Sequence, residues 1–193
     1  MKNFKITKLN KAEAALVGMP VPKQKNGNIG NGVHSTVDDL GYQVSKTGVD
    51  LPKIKTEIKT KGNESKSAYA IGSLHIDKIK ELEYDVSPIK EKCQNIFKVA
   101  HSQTFMKITS AKIMDFTKED IQEKFRDAYN TARDKMLAGD NSNYIKGHDK
   151  AYGYFERKKK NGLPTNNWAF RITVKNMNMF EGMSKSNGDN LFY

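Results

Sequence analysis

Apolar residues recur along the chain at two spacings, which predict both helices and strands. Helices are predicted where apolar side chains fall three or four residues apart, where a capping residue or Ser-Pro begins a short run, or where a glycine such as Gly41 ends one: 10–17, 29–40, 87–94 and 118–137. Strands are predicted in β-type segments: around 57–59, and at 68–76, 95–100, 107–114, 151–158 and 167–174. A basic loop is expected at 20–27, a polar turn at 62–65 and a frayed end from Gly182 onward. The order of elements predicts a mixed α/β fold.

The length and net charge of the chain limit the classes of partner that we expect it to bind. Its 193 residues suit a single domain, 1–193, that could divide into two lobes near residue 100. The formal net charge of +11 favours a polyanionic partner, because binding would release counterions from phosphates. Nucleases, ribosomal proteins and membrane-surface proteins share this charge, so it does not decide the activity.

Cysteine content and hydropathy indicate the compartment. Cys93 is the only cysteine, which excludes an internal disulfide and a cysteine-based zinc site. No apolar run approaches the length of a membrane span, and the amino terminus lacks the apolar region of a signal peptide. We therefore expect a cytoplasmic protein without a membrane partner.

The segment 48–61 contains the strongest candidates for metal-binding and catalytic side chains. Side chains alternate along a strand, so Glu57 and Lys59 should share one face while Ile58 points toward a core. Pro52 could turn the chain and bring Asp50 beside Glu57. Two carboxylates with a lysine are the groups that hold a hard cation and activate a water molecule.

The spacing alone is common in a lysine-rich chain, and Glu57 and Lys59 could instead form a solvated strand face. Other candidates are weaker. His75, His101 and His148 lack the spacing of metal ligands, and the glycine-rich segment 26–32 lacks the Gly-Lys-Ser/Thr of a phosphate-binding loop.

Five blocks in order carry a resemblance to a known family: Gly27–Val33, Val49–Thr60, Ser87–Phe97, Asp127–Gly139 and Trp168–Thr173. The first resembles the glycine-punctuated start of an active-site helix, and the second an Asp-x6-Glu-x-Lys core. The chain is similar to the MutH-like and type II restriction endonucleases of the PD-(D/E)xK superfamily. That resemblance implies a mixed central sheet flanked by helices, with a catalytic half at about 1–100 and DNA-reading strands at about 101–193.

The resemblance also implies a site. Asp50, Glu57 and the carbonyl of Ile58 would bind Mg²⁺, with Mn²⁺ as a substitute, while Lys59 and Lys92 would assist the reaction. Lys59 would position the attacking water, and Lys92 would stabilise the charge on the phosphate.

The first helix departs from the family pattern. The family usually has a glutamate where this chain has His34, and imidazole is a poor ligand for Mg²⁺. Asp38 lies one turn further on the same face and could replace the carboxylate. Surface roles for both residues remain an equal alternative.

Double-stranded DNA is the partner that the resemblance implies. The densest basic run is Arg157 with Lys158, Lys159 and Lys160. Its three lysines are expected in a turn, 158–162, between two strands, where the basic run could contact phosphates or base edges. Arg171 is a further candidate. A merely solvated lysine run is the alternative.

The predicted function is a Mg²⁺-dependent, sequence-specific DNA endonuclease of the restriction or phage type. One site per chain would give one nick per monomer, so double-strand cleavage would need a homodimer or two successive events. The alternatives are a DNA-binding module of the same fold with weak or no catalysis, and a basic RNA-binding protein.

Overall fold

The computed structural model describes residues 16–21, 29–148 and 150–185. The predicted helix at 10–17, the loop at 20–27 and the end of the chain therefore lie almost wholly outside the described residues. Five α-helices are described: α1 (Ile29–Asp39), α2 (Ile76–Glu81), α3 (Pro88–Lys92), α4 (Glu119–Leu137) and α5 (Val174–Lys185). Seven strands accompany them: β1 (Thr56–Gly62), β2 (Tyr69–His75), β3 (Asn95–Ser102), β4 (Lys107–Asp115), β5 (Tyr144–Lys146), β6 (Tyr154–Lys160) and β7 (Leu163–Ile172). The predicted mixed α/β class is confirmed.

The strands form two sheets, where the sequence predicts one central sheet, and each sheet belongs to its own compact unit. Of the described residues, those up to Lys66, Gln94–Asp115 and those from Ser184 onward belong to the first unit; the second comprises the described residues of Ser67–Cys93 and Phe116–Met183. The units therefore alternate along the sequence rather than dividing near residue 100.

The first unit is built on the sheet β1-β3-β4. β1 runs parallel to β3, and β3 runs antiparallel to β4. α1 packs its apolar face on this sheet, so that Val33 and Val37 join Ile58 and Phe97 in one buried cluster. The left-handed Gly41 (φ 89°) follows the end of α1, as predicted for a helix terminated by glycine. This packing fixes the face of β1 that is turned away from the core.

The second unit is built on the antiparallel sheet β2-β7-β6-β5. Its core is aromatic: Tyr129 of α4 meets Phe155 edge to face at 5.2 Å, and Phe155 meets Phe170 at 5.3 Å. α3 begins as predicted, because the side chain of Ser87 caps the helix by accepting from the N–H of Lys90.

The β6–β7 connection differs from the prediction. The basic residues 158–160 belong to β6, and only Asn161 and Gly162 form the turn, with φ of 53° and 79°. Two consecutive left-handed residues make the tight hairpin turn that Asn-Gly favours, so the lysines stay in the strand.

Other strand boundaries also differ from the prediction. β6 begins at Tyr154 rather than 151, and β7 begins at Leu163 rather than 167. The predicted strand end at Val174 is instead the start of α5, which runs through Gly182. The short helix α2 and the three-residue strand β5 were missed, because segments of six and three residues show too little periodicity to be recognised.

Gly153 should be sensitive to substitution. A Cβ at this position would lie 2.5 Å from Cζ of the fully buried Phe170, which is packed between other rings and cannot move freely. We expect Gly153→Ala to lower the free energy of unfolding by about 1–3 kcal/mol, the usual cost of overpacking a core. Denaturant unfolding measures this change.

Gly182→Ala is the matched control, since nothing lies within 4 Å of a Cβ built there inside α5. Alanine should stabilise that helix by roughly 0.5–1 kcal/mol. Equal effects of the two substitutions would contradict this account of the Gly153–Phe170 contact.

Candidate metal centre

A tight turn before β1 positions the first candidate ligand. Leu51 and Thr56 form a two-way backbone pair: the N–H of Leu51 donates to the Thr56 carbonyl (2.8 Å), and the N–H of Thr56 donates to the Leu51 carbonyl (3.2 Å). Between them lie a single 3₁₀ turn, Pro52–Ile54, and Lys55 in a left-handed conformation (φ 49°). The chain therefore doubles back and places Asp50 beside the start of β1, as the sequence predicted from Pro52.

The two carboxylates are interlocked through the main chain. Asp50 Oδ2 accepts a hydrogen bond from the N–H of Ile58 (2.7 Å), and Glu57 Oε2 accepts from the N–H of Asp50 (3.3 Å). The exposed fractions of the side chains are 14% for Asp50 and 4% for Glu57. Both acids are thus held close together and are largely shielded from solvent.

The strand alternation that the sequence predicts is present. Ile58 is 3% exposed and lies in the core cluster, while Lys59 Nζ donates to Glu57 Oε1 at 2.8 Å on the opposite face of β1. Asp50, Glu57 and Lys59 therefore form one cluster. We call the two carboxylates, Asp50 and Glu57, the acidic pair. The alternative of a freely solvated strand face does not describe a glutamate so deeply buried.

Without a cation, the burial of Asp50 and its closeness to the charge of Glu57 are electrostatically unfavourable. Burial raises the pKa of Asp50, and the negative charge of Glu57 raises it further. The N–H of Ile58 and the nearby groups of His34 and Lys59 oppose that rise only in part. A divalent cation between the two carboxylates would remove their repulsion.

The donor set fits Mg²⁺ better than a metal that needs many side-chain ligands. Within residues 16–21, 29–148 and 150–185, no group of three or more His, Cys, Asp or Glu side chains is arranged to hold a metal ion. Mg²⁺ commonly takes only one or two carboxylates and completes its shell with water and substrate phosphate oxygens. Asp50 and Glu57 can supply those two carboxylates.

The two first-helix candidates separate in space. His34 reaches the cluster, with its Nε2 3.7 Å from Asp50 Oδ2. Asp38 instead accepts a hydrogen bond from the N–H of Val44 (2.9 Å), so its carboxylate holds the loop that follows α1. Of the two residues, His34 is therefore the one that can influence the acidic pair directly.

Lys92 lies in the second unit. It is the last residue of α3, and its aliphatic stem packs against Gly72 of β2, where a Cβ would come within 2.9 Å of Lys92 Cδ. Its assignment as a second catalytic lysine stays a prediction.

The two arginines predicted to bind DNA are engaged within the fold. Arg157 Nε donates to the Thr165 carbonyl (2.8 Å), and the guanidinium lies over the Trp168 ring at 5.6 Å. Arg171 pairs with Glu156. Lys158, Lys159 and Lys160, in contrast, are exposed. We therefore assign the arginines to the base of the β6–β7 hairpin and keep the three lysines as candidates for phosphate contact.

One exposed residue near these lysines was missed by the sequence analysis. Leu163 is 71% exposed at the hairpin turn, beside the exposed Pro164. The only signal was an apolar residue directly after Asn-Gly, which by itself is unremarkable in a turn.

The chain matches no model of a known protein family, and no curated protein matches it. None of the described helices combines the length and apolar character needed to cross a membrane.

Asp50→Asn should stabilise the metal-free protein. A carboxyl whose pKa is raised in the folded state binds its proton more tightly when folded, so stability falls as pH rises from the unfolded pKa through the folded one. At neutral pH the ionised Asp50 therefore costs stability, and an asparagine oxygen can still accept from Ile58. A gain of about 1 kcal/mol would raise Tm by about 2–4 °C.

Thermal unfolding in EDTA at pH 7 and pH 4 measures this effect. The advantage of the variant should shrink at the lower pH, where the wild-type carboxyl approaches its neutral form. Glu81→Gln, in an exposed pair with Lys78, should leave Tm nearly unchanged. A variant less stable than the wild type at pH 7 would show that the Asp50 charge stabilises the fold.

Proposed function

We propose that the chain is a Mg²⁺-dependent DNA endonuclease with a restriction-endonuclease-like arrangement, acting in the cytoplasm. The observation that carries the proposal is the convergence of Asp50 and Glu57, with Lys59 bound to Glu57 on the same face of β1. A chain of net charge +11 suits a phosphodiester substrate. Cleavage would be sequence-specific, one strand per monomer, with a homodimer for double-strand cuts.

Each residue of the candidate site would have a role that follows from its chemistry. Asp50 and Glu57 would hold the ion together with the Ile58 carbonyl. When bound, Mg²⁺ (or Mn²⁺) supplies a Lewis acid for the phosphate and lowers the pKa of a coordinated water.

Lys59 brings a positive charge to the same place. Its Nζ is anchored 2.8 Å from Glu57 Oε1 and is 17% exposed, so an ammonium donor is already oriented there. It would orient the attacking water or stabilise the charge that develops on the phosphate oxygens.

The second candidate function is a DNA-binding module of the same fold that has weak or no catalysis. One observation favours it: the α1 side chain next to Asp50 is the imidazole of His34 rather than a carboxylate. A site with fewer negative ligands would bind Mg²⁺ more weakly.

Plasmid cleavage separates the two. We expect wild-type protein to nick supercoiled plasmid in Mg²⁺ and not in EDTA. Glu57→Gln should reduce the rate by about 10³-fold, because the loss of ion-mediated charge stabilisation costs several kcal/mol. Lys59→Ala should reduce it on the order of 10²–10³-fold, as for one lost electrostatic donor.

Lys78→Ala and Glu81→Gln are matched controls, since these residues form an exposed pair on α2 in the second unit. Both should cleave at the wild-type rate. If wild-type protein binds the plasmid yet leaves it intact in both Mg²⁺ and Mn²⁺, the module is the correct alternative. Cleavage by Glu57→Gln at the wild-type rate would place the activity elsewhere.

A further inference from the structure

The hairpin between β6 and β7 extends beyond the sheet that carries it. β5 pairs with β6 only from Tyr154 to Glu156, and β2 pairs with β7 only from Asn167 onward. Among the described strands, residues 158–166 therefore pair only within the hairpin: Lys159 faces Pro164, and Lys160 faces Leu163. We call residues 158–166 the basic arm.

The arm is anchored at its base. Arg157 Nε donates to the Thr165 carbonyl (2.8 Å), and Thr165 Oγ1 donates to the Lys158 carbonyl (2.9 Å). The Asn161-Gly162 turn closes the other end with two left-handed residues. A ribbon of about four residues per strand reaches about 13 Å, which exceeds the depth of either DNA groove, about 7.5–8.5 Å. The undistorted minor groove is only about 6 Å wide, so a two-stranded ribbon enters it only where the duplex is deformed, as it is by β-ribbon proteins that bend DNA.

The chemistry of the arm suits a polyanion. It carries three lysines and no acidic residue, and every residue except the half-buried Thr165 is exposed. Pro164 has no N–H to offer an added strand, and lysines on an edge discourage strand pairing. The partner is therefore recognised by side chains and charge rather than by extension of the sheet.

An exposed apolar residue lies directly after the Asn161-Gly162 turn of the arm. Leu163 is 71% exposed beside Pro164 at the far end of the arm, and the fold gains no core burial from it. Leucine and proline are among the side chains that proteins insert between base steps from the minor groove, partly unstacking them and bending the duplex by about 20–90°.

We propose that the basic arm enters the minor groove of duplex DNA, with Lys158, Lys159 and Lys160 on the phosphates and Leu163 wedged between two base pairs, so that bound DNA is bent. The proposed nuclease function supplies only the choice of DNA as the partner. The arm would add a mode of recognition that depends on how easily a base step deforms, which pyrimidine–purine steps do most readily.

Energy transfer across a 30-base-pair duplex that carries one dye at each end tests the proposal in EDTA, where no cleavage interferes. Binding of wild-type protein should raise the transfer efficiency as the ends approach. Leu163→Ala should still bind but lose at least half of that rise. Val86→Ala, which removes a 70% exposed apolar side chain elsewhere in the second unit, should behave as wild type.

The contribution of the three lysines is measured separately, from the salt dependence of DNA binding. Replacing all three with glutamine should flatten the plot of log K against log salt by up to about 2.7, because each lost phosphate contact removes about 0.9. The salt slope of Leu163→Ala should match the wild type. Thermal unfolding checks that both variants remain folded.

Four results would overturn the proposal. Three are measured on DNA: no bending by wild-type protein, equal bending by Leu163→Ala, or an unchanged salt slope in the triple variant. The fourth is equally tight binding of an RNA duplex, since A-form grooves differ in shape. Plasmid cleavage is scored separately. Bending without cleavage would support DNA binding by the basic arm and contradict the proposed nuclease activity. Cleavage without bending would support the nuclease activity and contradict the proposed role of the arm.

Discussion

The backbone pair between Leu51 and Thr56 is the constraint on which the candidate site depends. It closes a four-residue turn, and that closure lets the carboxylate of Asp50 reach the N–H of Ile58. Glu57 completes the exchange by accepting from the N–H of Asp50. Without the turn, the two acids would sit at opposite ends of an extended segment, and no common ion could reach both. Local backbone geometry, more than any side-chain packing, therefore creates the acidic pair.

The cost of this arrangement is electrostatic. Two carboxylates with little solvent around them repel each other, and the raised pKa of Asp50 reports both the burial and the repulsion. The fold tolerates them because β1 is fixed from behind by Ile58, Phe97 and the α1 face. In such a site the fold keeps the two carboxylates in place although their repulsion is unfavourable, and a bound cation would relieve that repulsion. An ion-dependent hydrolase requires this combination. The same tension explains why Lys59 is bound to Glu57.

The sequence predicted the parts of the structure that depend on local rules. Alternation along β1, the Ser-Pro start of α3 and the glycine after α1 all follow from neighbours within a few residues. Long-range consequences were harder to foresee. The split into two sheets depends on which strands pair, and Arg157 and Arg171 proved to be held by a carbonyl, an aromatic ring and Glu156 that only the fold brings near. The lysines 158–160 were predicted to share a turn with Asn161 and Gly162, whereas the two left-handed residues Asn161 and Gly162 make the turn alone.

Direct titration of the full chain with Mg²⁺, followed by calorimetry or by the rise in Tm, tests the central claim most closely. We predict one saturable site that raises Tm and is lost in the double variant Asp50→Asn/Glu57→Gln, while Asp38→Asn retains it because that carboxylate accepts from the N–H of Val44. Absence of binding by the wild type, or equal binding by the double variant, would show that the acidic pair does not hold a metal.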